Sequence, residues 1–253
     1  MILSFYESDQ ALSEYLLFHY GSRDQILPFP FGPSDALDFP VRCVSECLDL
    51  KRLPAKARAL DLGCAVGRST FELARSCGSV IGIDSSRRFV EAAERMRCDG
   101  VLAFRHCAEG MLTSDSVVSV PTGIDRERVR FEIGDAQHLR EDLSEFDVIL
   151  MANLIDRLST PEACLRGLSR LIRPDGQLII TSPYTWLTDY TPRENWLGGY
   201  EKDGVAVTTL RGLQNILAPH FSLAFRKDLP FLIREHARKF QWSIAEATGW
   251  IRA

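Results

Sequence analysis

A glycine-rich turn between a short apolar run and a helical pattern is the first feature of this chain that could bind a ligand. The run Ala59-Leu60-Asp61-Leu62 breaks into Gly63-Cys64-Ala65-Val66-Gly67, and helical spacing follows. Glycine lets the backbone approach a ligand closely, and the helix presents unpaired N–H groups at its N-terminus. A second apolar run ends in Asp84, about 20 residues after the first glycine, where a βαβ unit presents a carboxylate to a ribose. This spacing predicts an adenosine-binding half-site.

The glycine loop distinguishes between adenosine cofactors. The three-glycine fingerprint G-x-G-x-x-G of dinucleotide-binding folds is absent. D-L-G-C-A-V-G followed by V-I-G-I-D instead resembles the first two motifs of class I S-adenosylmethionine-dependent methyltransferases, with Ala65 where a glycine is usual. The resemblance implies S-adenosylmethionine as cofactor and S-adenosylhomocysteine as product. The residues it assigns to the cofactor are Asp61, Gly63, Cys64, Ala65, Gly67, Asp84, Ser85, Asp135, Ala136 and Asn153.

A second constellation, Asn153-Leu154-Ile155-Asp156-Arg157, follows an uninterrupted apolar strand. It stands where methyltransferases that act on amino groups of adenine carry N-P-P-Y, and it is similar to the pentapeptide of protein-histidine methyltransferases. A carboxylate that accepts the N–H of a neutral imidazole leaves the other ring nitrogen with a free lone pair. Asp156 is therefore predicted to fix the tautomer of a target imidazole, and Asn153 to orient the ring. At a helix start, Asp156 could alternatively serve the helix dipole alone.

Nearly the whole chain resembles the methyltransferase module of ovothiol biosynthesis. The similarity runs from F-Y-E-S-D through Y-T-P-R-E-N-W-L-G-G to F-Q-W-S-I-A-E-A-T-G-W. In that family the module methylates a ring nitrogen of 5-thiohistidine, often as part of a bifunctional sulfoxide synthase. The resemblance implies a small amino-acid substrate, the Nπ position as target, ovothiol A as product and a possible functional pairing with a sulfoxide synthase.

A zwitterionic substrate would need a cation for its carboxylate and rings to enclose the imidazole. Arg193, in the aromatic loop 183–199, is the first choice for the carboxylate, with Arg42 behind it. The predicted substrate-binding rings are Tyr15, Tyr184, Trp186 and Trp196, beside Asn153 and Asp156. His19 is a candidate for the residue that takes the imidazole proton, although loss of that proton to solvent needs no base.

The order of strands and helices that must position these residues is typical of an α/β Rossmann-like class I methyltransferase fold. We expect a seven-stranded, mostly parallel sheet with helices on both faces, an N-terminal helical cap and a terminal antiparallel hairpin. The predicted single domain spans 1–253, with the cap at 1–50, the core at 51–253, an insertion at about 98–128 and the substrate loop at 183–199. Within the cap, prolines at 28–40 predict an extended linker and residues 42–50 a helix. Residues 161–172 are predicted to be helical, and Pro174-Asp175-Gly176 to form a turn.

The charge, the cysteine content and the apolar runs of the chain disfavour several classes of protein. A net charge of −4 disfavours a nucleic-acid partner. Seven cysteines without a C-x-x-C pair indicate neither a zinc site nor a disulfide framework, so no metal is expected. No apolar run reaches the length of a membrane span, and no signal peptide is recognisable at the N-terminus. We therefore expect a cytoplasmic protein, monomeric or homodimeric.

Three alternatives stay open at this stage. The acceptor could be another imidazole, such as histidine, a histidine dipeptide or a protein histidine. A nicotinamide dehydrogenase is disfavoured, since the chain also has no Tyr-x-x-x-Lys pair. A cofactor-binding module without catalysis is disfavoured because Asp61, Asp84, Asp135, Asn153 and Asp156 occur together.

Overall fold

The computed structural model describes residues 3–253, and within that range it forms one large sheet and two small hairpins. The predicted cap begins at residue 1, so its first two residues lie outside the described part. The helices are α1 (Leu3–Tyr6), α2 (Asp9–Tyr20), α3 (Arg23–Ile26), α4 (Phe39–Ser45), α5 (Arg68–Leu73), α6 (Arg87–Asp99), α7 (Pro161–Gly167) and α8 (Thr209–Leu217). The strands are β1 (Arg58–Leu62), β2 (Ser79–Asp84), β3 (Val101–Glu109), β4 (Leu112–Ser119), β5 (Val129–Ile133), β6 (Phe146–Ala152), β7 (Ile172–Ser182), β8 (Tyr200–Lys202), β9 (Val205–Val207), β10 (Phe221–His236) and β11 (Lys239–Arg252).

The large sheet has seven strands among the described residues, in the order β10-β11-β7-β6-β1-β2-β5. All neighbours pair in parallel except β11, which is antiparallel to both β7 and β10. The order reverses between β1 and β6, which creates a crevice at the carboxyl ends of these strands. The predicted Rossmann-like fold with a terminal antiparallel hairpin is confirmed.

Helices cover both faces of this sheet because its central strands are apolar on both sides. In β6, Leu150 packs into the core cluster on the side of α2, α4, α5 and α6, whereas Ile149 packs into the cluster on the side of α7 and α8. Both side chains are fully buried. Burial of both faces explains why β6 reads as a continuous apolar run rather than an alternating one.

The N-terminal segment differs in part from its prediction. Helix α2 begins after Ser8, whose hydroxyl accepts the N–H of Ala11 at 3.1 Å, and it ends before Gly21. The proline-rich stretch is less extended than expected, because Ser34–Ala36 forms a 3₁₀ turn. The helix predicted at 42–50 lies earlier, at Phe39–Ser45, because Pro40 suits the first turn of a helix. A separate 3₁₀ turn then occupies Leu50–Arg52.

The structure adds detail to the predicted insertion and differs from the prediction in two further segments. The segment 98–128 carries the end of α6 and an antiparallel hairpin, β3–β4, that pairs Val101 with Ser119. The helix predicted at 161–172 is α-helical only to Gly167 and continues as a 3₁₀ turn. The turn predicted at 174–176 is an irregularity inside β7, where the pairing jumps from Phe146↔Ile172 to Val148↔Gln177 and Asp175 has a φ of +62°. No helix between residues 3 and 253 is both long and apolar enough to cross a bilayer.

Candidate functional site

A cavity of about 610 Å³ opens at the carboxyl ends of β1, β2, β5 and β6. Its floor comes from the loops that follow these strands, and α1 and α2 cover it from above through Tyr6, Tyr15, Phe18 and His19. The loop after β7 closes one side with Asp189 and Tyr190. A ligand here would be enclosed by the strand-end loops, by α1 and α2, and by the loop after β7.

The glycine loop reaches the cavity with Gly63 and Ala65. Gly63 has a φ of +72°, and a Cβ there would lie 2.9 Å from Leu154, so the position needs glycine for both reasons. Gly67, with a φ of +86°, precedes α5, and a Cβ there would lie 2.4 Å from the Phe131 ring. Cys64 is buried and its thiol faces the carbonyl of Ala65 rather than the cavity.

Asp61 anchors this loop from behind. The side chain is fully buried, and Oδ2 accepts hydrogen bonds of 2.7 Å from the hydroxyls of Ser69 and Thr70 in α5. Burial raises the pKa of the Asp61 carboxyl to about 6, despite these hydrogen bonds. Asp61 does not line the cavity, so any effect on a ligand passes through the loop or through Oδ1, which has no partner among the described residues.

Asp84 closes the other side of this half-site and lines the cavity with Ser85. Its Oδ2 accepts the backbone N–H of Ala65 and its Oδ1 that of Ser86, both at 2.9 Å. Burial raises the pKa of the Asp84 carboxyl above its usual value, against the effect of these hydrogen bonds. Each carboxylate oxygen keeps a lone pair for a hydroxyl donor, which is the requirement for holding a ribose diol.

Asp135 and Ala136 line the cavity beside Gln137, directly after β5. Burial favours a higher pKa for Asp135, but hydrogen bonds from the Gln137 backbone and the His138 ring outweigh it, and the pKa is lowered. Asp135 therefore stays ionised and can accept a hydrogen bond from a ligand amine.

Asn153 is the residue at which β6 turns into the cavity, with a φ of +53°. Its backbone N–H donates to the carbonyl of Thr181 at 2.8 Å, and its Oδ1 accepts the Thr181 hydroxyl at 3.0 Å. Among the described residues no acceptor engages the Nδ2 amide of Asn153, which leaves two donors for a ligand.

Asp156 lies behind the cavity and not on its wall. It is fully buried, and its Oδ2 accepts the backbone N–H of Thr185 and Nη1 of Arg157, both at 3.0 Å. Burial raises the pKa of the Asp156 carboxyl, although the Arg157 charge opposes this. Its Oδ1 is buried and has no partner in the described part of the chain. Arg157, in contrast, lines the cavity with its guanidinium 4.7 Å from the Tyr190 ring centroid.

Helix α2 brings Tyr15 and His19 to the cavity from above. The rings of Tyr15 and Phe89 lie 4.8 Å apart, and the hydroxyl of Tyr20 donates to the carbonyl of Val66 at 2.7 Å, which ties this helix to the glycine loop. Burial lowers the pKa of His19 to about 3, and Nδ1 has no partner among the described residues. His19 is thus a neutral ring at physiological pH and a weak base for taking a proton.

Besides Asp156, five predicted substrate residues lie outside the cavity: Arg42, Tyr184, Trp186, Arg193 and Trp196. Trp186 is buried, stacks on Trp196 at 6.4 Å and donates its Nε1–H to Thr209. The Tyr184 hydroxyl donates to Glu246, Arg42 binds Glu46 and the carbonyl of Pro230, and Arg193 lies over Trp196. A direct role for the four loop residues would need a different arrangement of the loop, and one for Arg42 a different position of α4.

Sequence reasoning did not single out Arg157, Tyr6, Asp189 or Tyr190, all of which line the cavity. A signal existed for Arg157, which directly follows Asp156 at the ligand edge of the sheet. Among the described residues no group of three His, Cys, Asp or Glu side chains could hold a metal ion.

Residues 60–180 match a protein-family model described as "Methyltransferase domain". The chain is similar to the methyltransferase GfsG of Streptomyces halstedii, with 26% identity over 64% of this chain and 49% of that protein. It is also similar to the ubiquinone biosynthesis O-methyltransferase of Xanthomonas axonopodis pv. citri (strain 306), with 25% identity over 60% of this chain and 53% of that one. The chain thus spans about half the length of these curated relatives.

Solved structures share the fold. The N-methyltransferase NodS from Bradyrhizobium japonicum WM9, in complex with S-adenosylhomocysteine, aligns over 97% of this chain and 98% of its own, with 15% identity and a TM-score of 0.53. The [4+2]-cyclase SpnF aligns over 98% and 94%, with 16% identity and a TM-score of 0.55. Residues 60–180 are therefore a methyltransferase domain with the class I fold.

Proposed function

We propose that this methyltransferase domain transfers the methyl group of S-adenosylmethionine to the Nπ ring nitrogen of 5-thiohistidine, giving ovothiol A. The proposal rests on the sequence resemblance for the substrate and on the cavity for the chemistry. The observation that carries it is the position of Asn153, whose free Nδ2 amide lies in the same cavity as Asp84 and Asp135.

The half of the cavity formed by Gly63, Asp84 and Asp135 fits the cofactor. Asp84 is placed to accept the ribose hydroxyls, and Asp135 to accept the amine of the adenine. Ala65 brings its backbone close to the ligand in the manner of the glycine expected there. S-adenosylmethionine supplies an electrophilic methyl group, so that the N–C bond forms as the S–C bond breaks and S-adenosylhomocysteine leaves.

The other half, formed by Asn153, Arg157, Tyr15, Tyr190 and His19, fits a small aromatic acceptor. Aromatic side chains provide rigid walls for a flat ring, and Asn153 offers the donors that orient it. Because methyl transfer from a sulfonium needs little help with the leaving group, holding an unprotonated nitrogen in line is the main task of the protein. The ring proton goes to solvent, since His19 is too weak a base to retain it.

Asp156 has an indirect part in this proposal. It keeps Arg157 and the loop after β7 in place and does not touch the imidazole itself. The sulfoxide synthase implied by the sequence resemblance would belong to the reaction that supplies the thiolated ring.

The test is one incubation with S-adenosylmethionine that offers 5-thiohistidine, histidine and carnosine in parallel, followed by mass spectrometry. We expect a gain of one methylene on 5-thiohistidine, at a rate that Asn153→Ala lowers at least ~10-fold. Asn215→Ala, at an exposed position of α8 outside the cavity, is the matched control and should leave the rate unchanged. No methylated product from any of the three, with S-adenosylhomocysteine binding confirmed by calorimetry, would refute the proposed substrate and leave the cofactor half-site standing.

A further inference from the structure

Arg157 is held in one orientation by groups on a single side of its guanidinium. Its Nη1 donates to the carbonyl of Asp156 at 2.9 Å, to Asp156 Oδ2 at 3.0 Å and to the carbonyl of Thr185 at 3.1 Å. The Tyr190 ring lies against its face. A fully buried carboxylate that positions an arginine in this way removes most of the freedom that a surface arginine would lose on binding a ligand.

Within residues 3–253 the rest of the same guanidinium makes no ion pair, and the hydroxyl of Tyr6 is a polar neighbour of it in the cavity. Among the described residues neither Nε nor Nη2 of Arg157 donates a hydrogen bond to an acceptor within 3.5 Å, although the side chain is only 25% exposed and lines the cavity. The Nε–Nη2 edge carries two parallel N–H groups, which is the geometry that binds a carboxylate with two hydrogen bonds. The arrangement therefore presents a preorganised site for one carboxylate.

An unpaired acid stands on the same side of the cavity. Asp189 lines the cavity, and no ion pair or side-chain hydrogen bond engages it among the described residues, Arg157 included. The turn that carries it is fixed, because the buried Thr191 donates its hydroxyl to the carbonyl of Leu158 at 2.7 Å. A cation and an anion are thus presented separately beside the Tyr190 ring, and neither neutralises the other.

We propose that Arg157 and Asp189 form a zwitterion-binding subsite that selects a free α-amino acid as the methyl acceptor. Arg157 binds the α-carboxylate through Nε and Nη2, and Asp189 accepts the α-ammonium group. The inference rests on the proposed function for the identity of the ring, but the two charged contacts concern the backbone part of the acceptor. A histidine within a peptide, which has neither free group, fails to engage this subsite.

Three commercial probes separate the two contacts: histidine, imidazolepropionate, which lacks the ammonium, and histamine, which lacks the carboxylate. Binding of each to the complex with S-adenosylhomocysteine is measured by calorimetry. In Arg157→Gln we expect histidine and imidazolepropionate to bind at least ~10-fold more weakly, and histamine to bind as before. In Asp189→Asn we expect histidine and histamine to weaken by a similar factor, and imidazolepropionate to bind as before. Arg105→Gln and Asp115→Asn, which alter an exposed ion pair on the β3–β4 hairpin, serve as matched controls.

The affinity for the cofactor tests whether Arg157 binds the carboxylate of the acceptor or that of the cofactor itself. Both variants should bind S-adenosylhomocysteine as the wild type does. A loss of that affinity in Arg157→Gln as large as the loss for histidine would overturn the inference, because the arginine would then hold the carboxylate of the cofactor. Equal weakening of all three probes in either variant, or no binding of any probe to the wild type, would overturn it as well.

Methylation assays distinguish this inference from the proposed function. If 5-thiohistidine and its decarboxylated amine are methylated with equal efficiency, the reaction stands and the zwitterion subsite is wrong. If the probes show the charge-selective pattern but 5-thiohistidine gains no methyl group, the subsite stands and the proposed reaction is wrong.

Discussion

The carboxylate of Asp84 accepts the backbone N–H of Ala65 at 2.9 Å, so the end of β2 fixes the conformation of the loop after β1. Ala65 adopts a φ of +47° in this contact, a left-handed conformation that costs an alanine about 1 kcal/mol or more. The hydrogen bond holds the residue in place despite that cost. Two residues assigned to the cofactor from their motifs are thus also structurally dependent on each other.

We expect Ala65→Gly to stabilise the protein by about 0.5–1 kcal/mol, since the relief of left-handed strain exceeds the added entropy of the unfolded chain. The free energy of unfolding in urea is the measurement. Ala92→Gly, inside α6 at an ordinary helical φ, is the control and should destabilise by about 1 kcal/mol. Destabilisation by both substitutions would show that the strain at position 65 is negligible.

Asp84→Ala should weaken binding of S-adenosylhomocysteine at least ~10-fold, because the ribose acceptor and the clamp on the Ala65 N–H are both lost. Isothermal calorimetry measures this directly. The exposed Asp115→Ala in β4 removes a carboxylate that does not line the cavity and should not change the affinity. Unchanged binding in Asp84→Ala would show that the ribose is held elsewhere.

Asp156→Asn should reduce kcat/KM for the acceptor at least ~10-fold and leave cofactor affinity within about threefold, because its carboxylate orients Arg157 and does not reach the cavity. Steady-state kinetics and calorimetry on one preparation test the two parts together. Loss of cofactor affinity comparable to that of Asp84→Ala would contradict the division of roles between the two halves of the cavity.

His19 should make the protein less stable as the medium becomes acidic. Its pKa is lowered from 6.5 to about 3, so between these values the unfolded chain binds a proton that the folded protein does not. The contribution of His19 to stability is complete above pH 6.5 and falls by up to ~1.4 kcal/mol per unit as the pH decreases towards 3. His19→Gln should therefore show a smaller loss of stability than the wild type between these limits.

That experiment should compare the free energy of unfolding of His19→Gln with that of the wild type at each pH, because Asp61 changes the stability with pH in the opposite direction. Its raised folded pKa, about 6 against an ordinary 3.8, means that the folded protein binds the extra proton in this window. Stability from Asp61 therefore decreases as the pH rises through the same range. A wild-type profile alone could look flat, and parallel profiles for His19→Gln and the wild type would refute the assignment to His19.

The sheet could be predicted from sequence because its signals are local. Gly63 and Gly67 need conformations that other residues rarely adopt, and β6 needs an apolar run to be buried on both faces. Asp84 and Asn153 reach the cavity because strand ends in a parallel sheet meet at one edge.

The wall of the cavity was harder to predict, since tertiary packing decides which residues of a loop face inward. Trp186 was expected to face the ligand, but α8 offers Leu213 and the Thr209 hydroxyl, which satisfy both its ring and its N–H. Tyr190 and Asp189 of the same loop reach the cavity instead. The loop sequence does not distinguish the residues that face the cavity from those that face α8, because both groups contain aromatic or polar side chains.

The cap over the cavity joins opposite ends of the described chain. Phe18 of α2 packs on Phe231 of β10 at 6.2 Å, and Leu17 shares a core cluster with Leu232. During translation α2 leaves the ribosome long before β10 exists, so the part of its apolar face that packs on β10 stays uncovered until the last hairpin has been made. We therefore expect the packing of α2 on β10, which backs the cavity cover, to be among the last contacts to form on a nascent chain, since these residues are more than 200 positions apart.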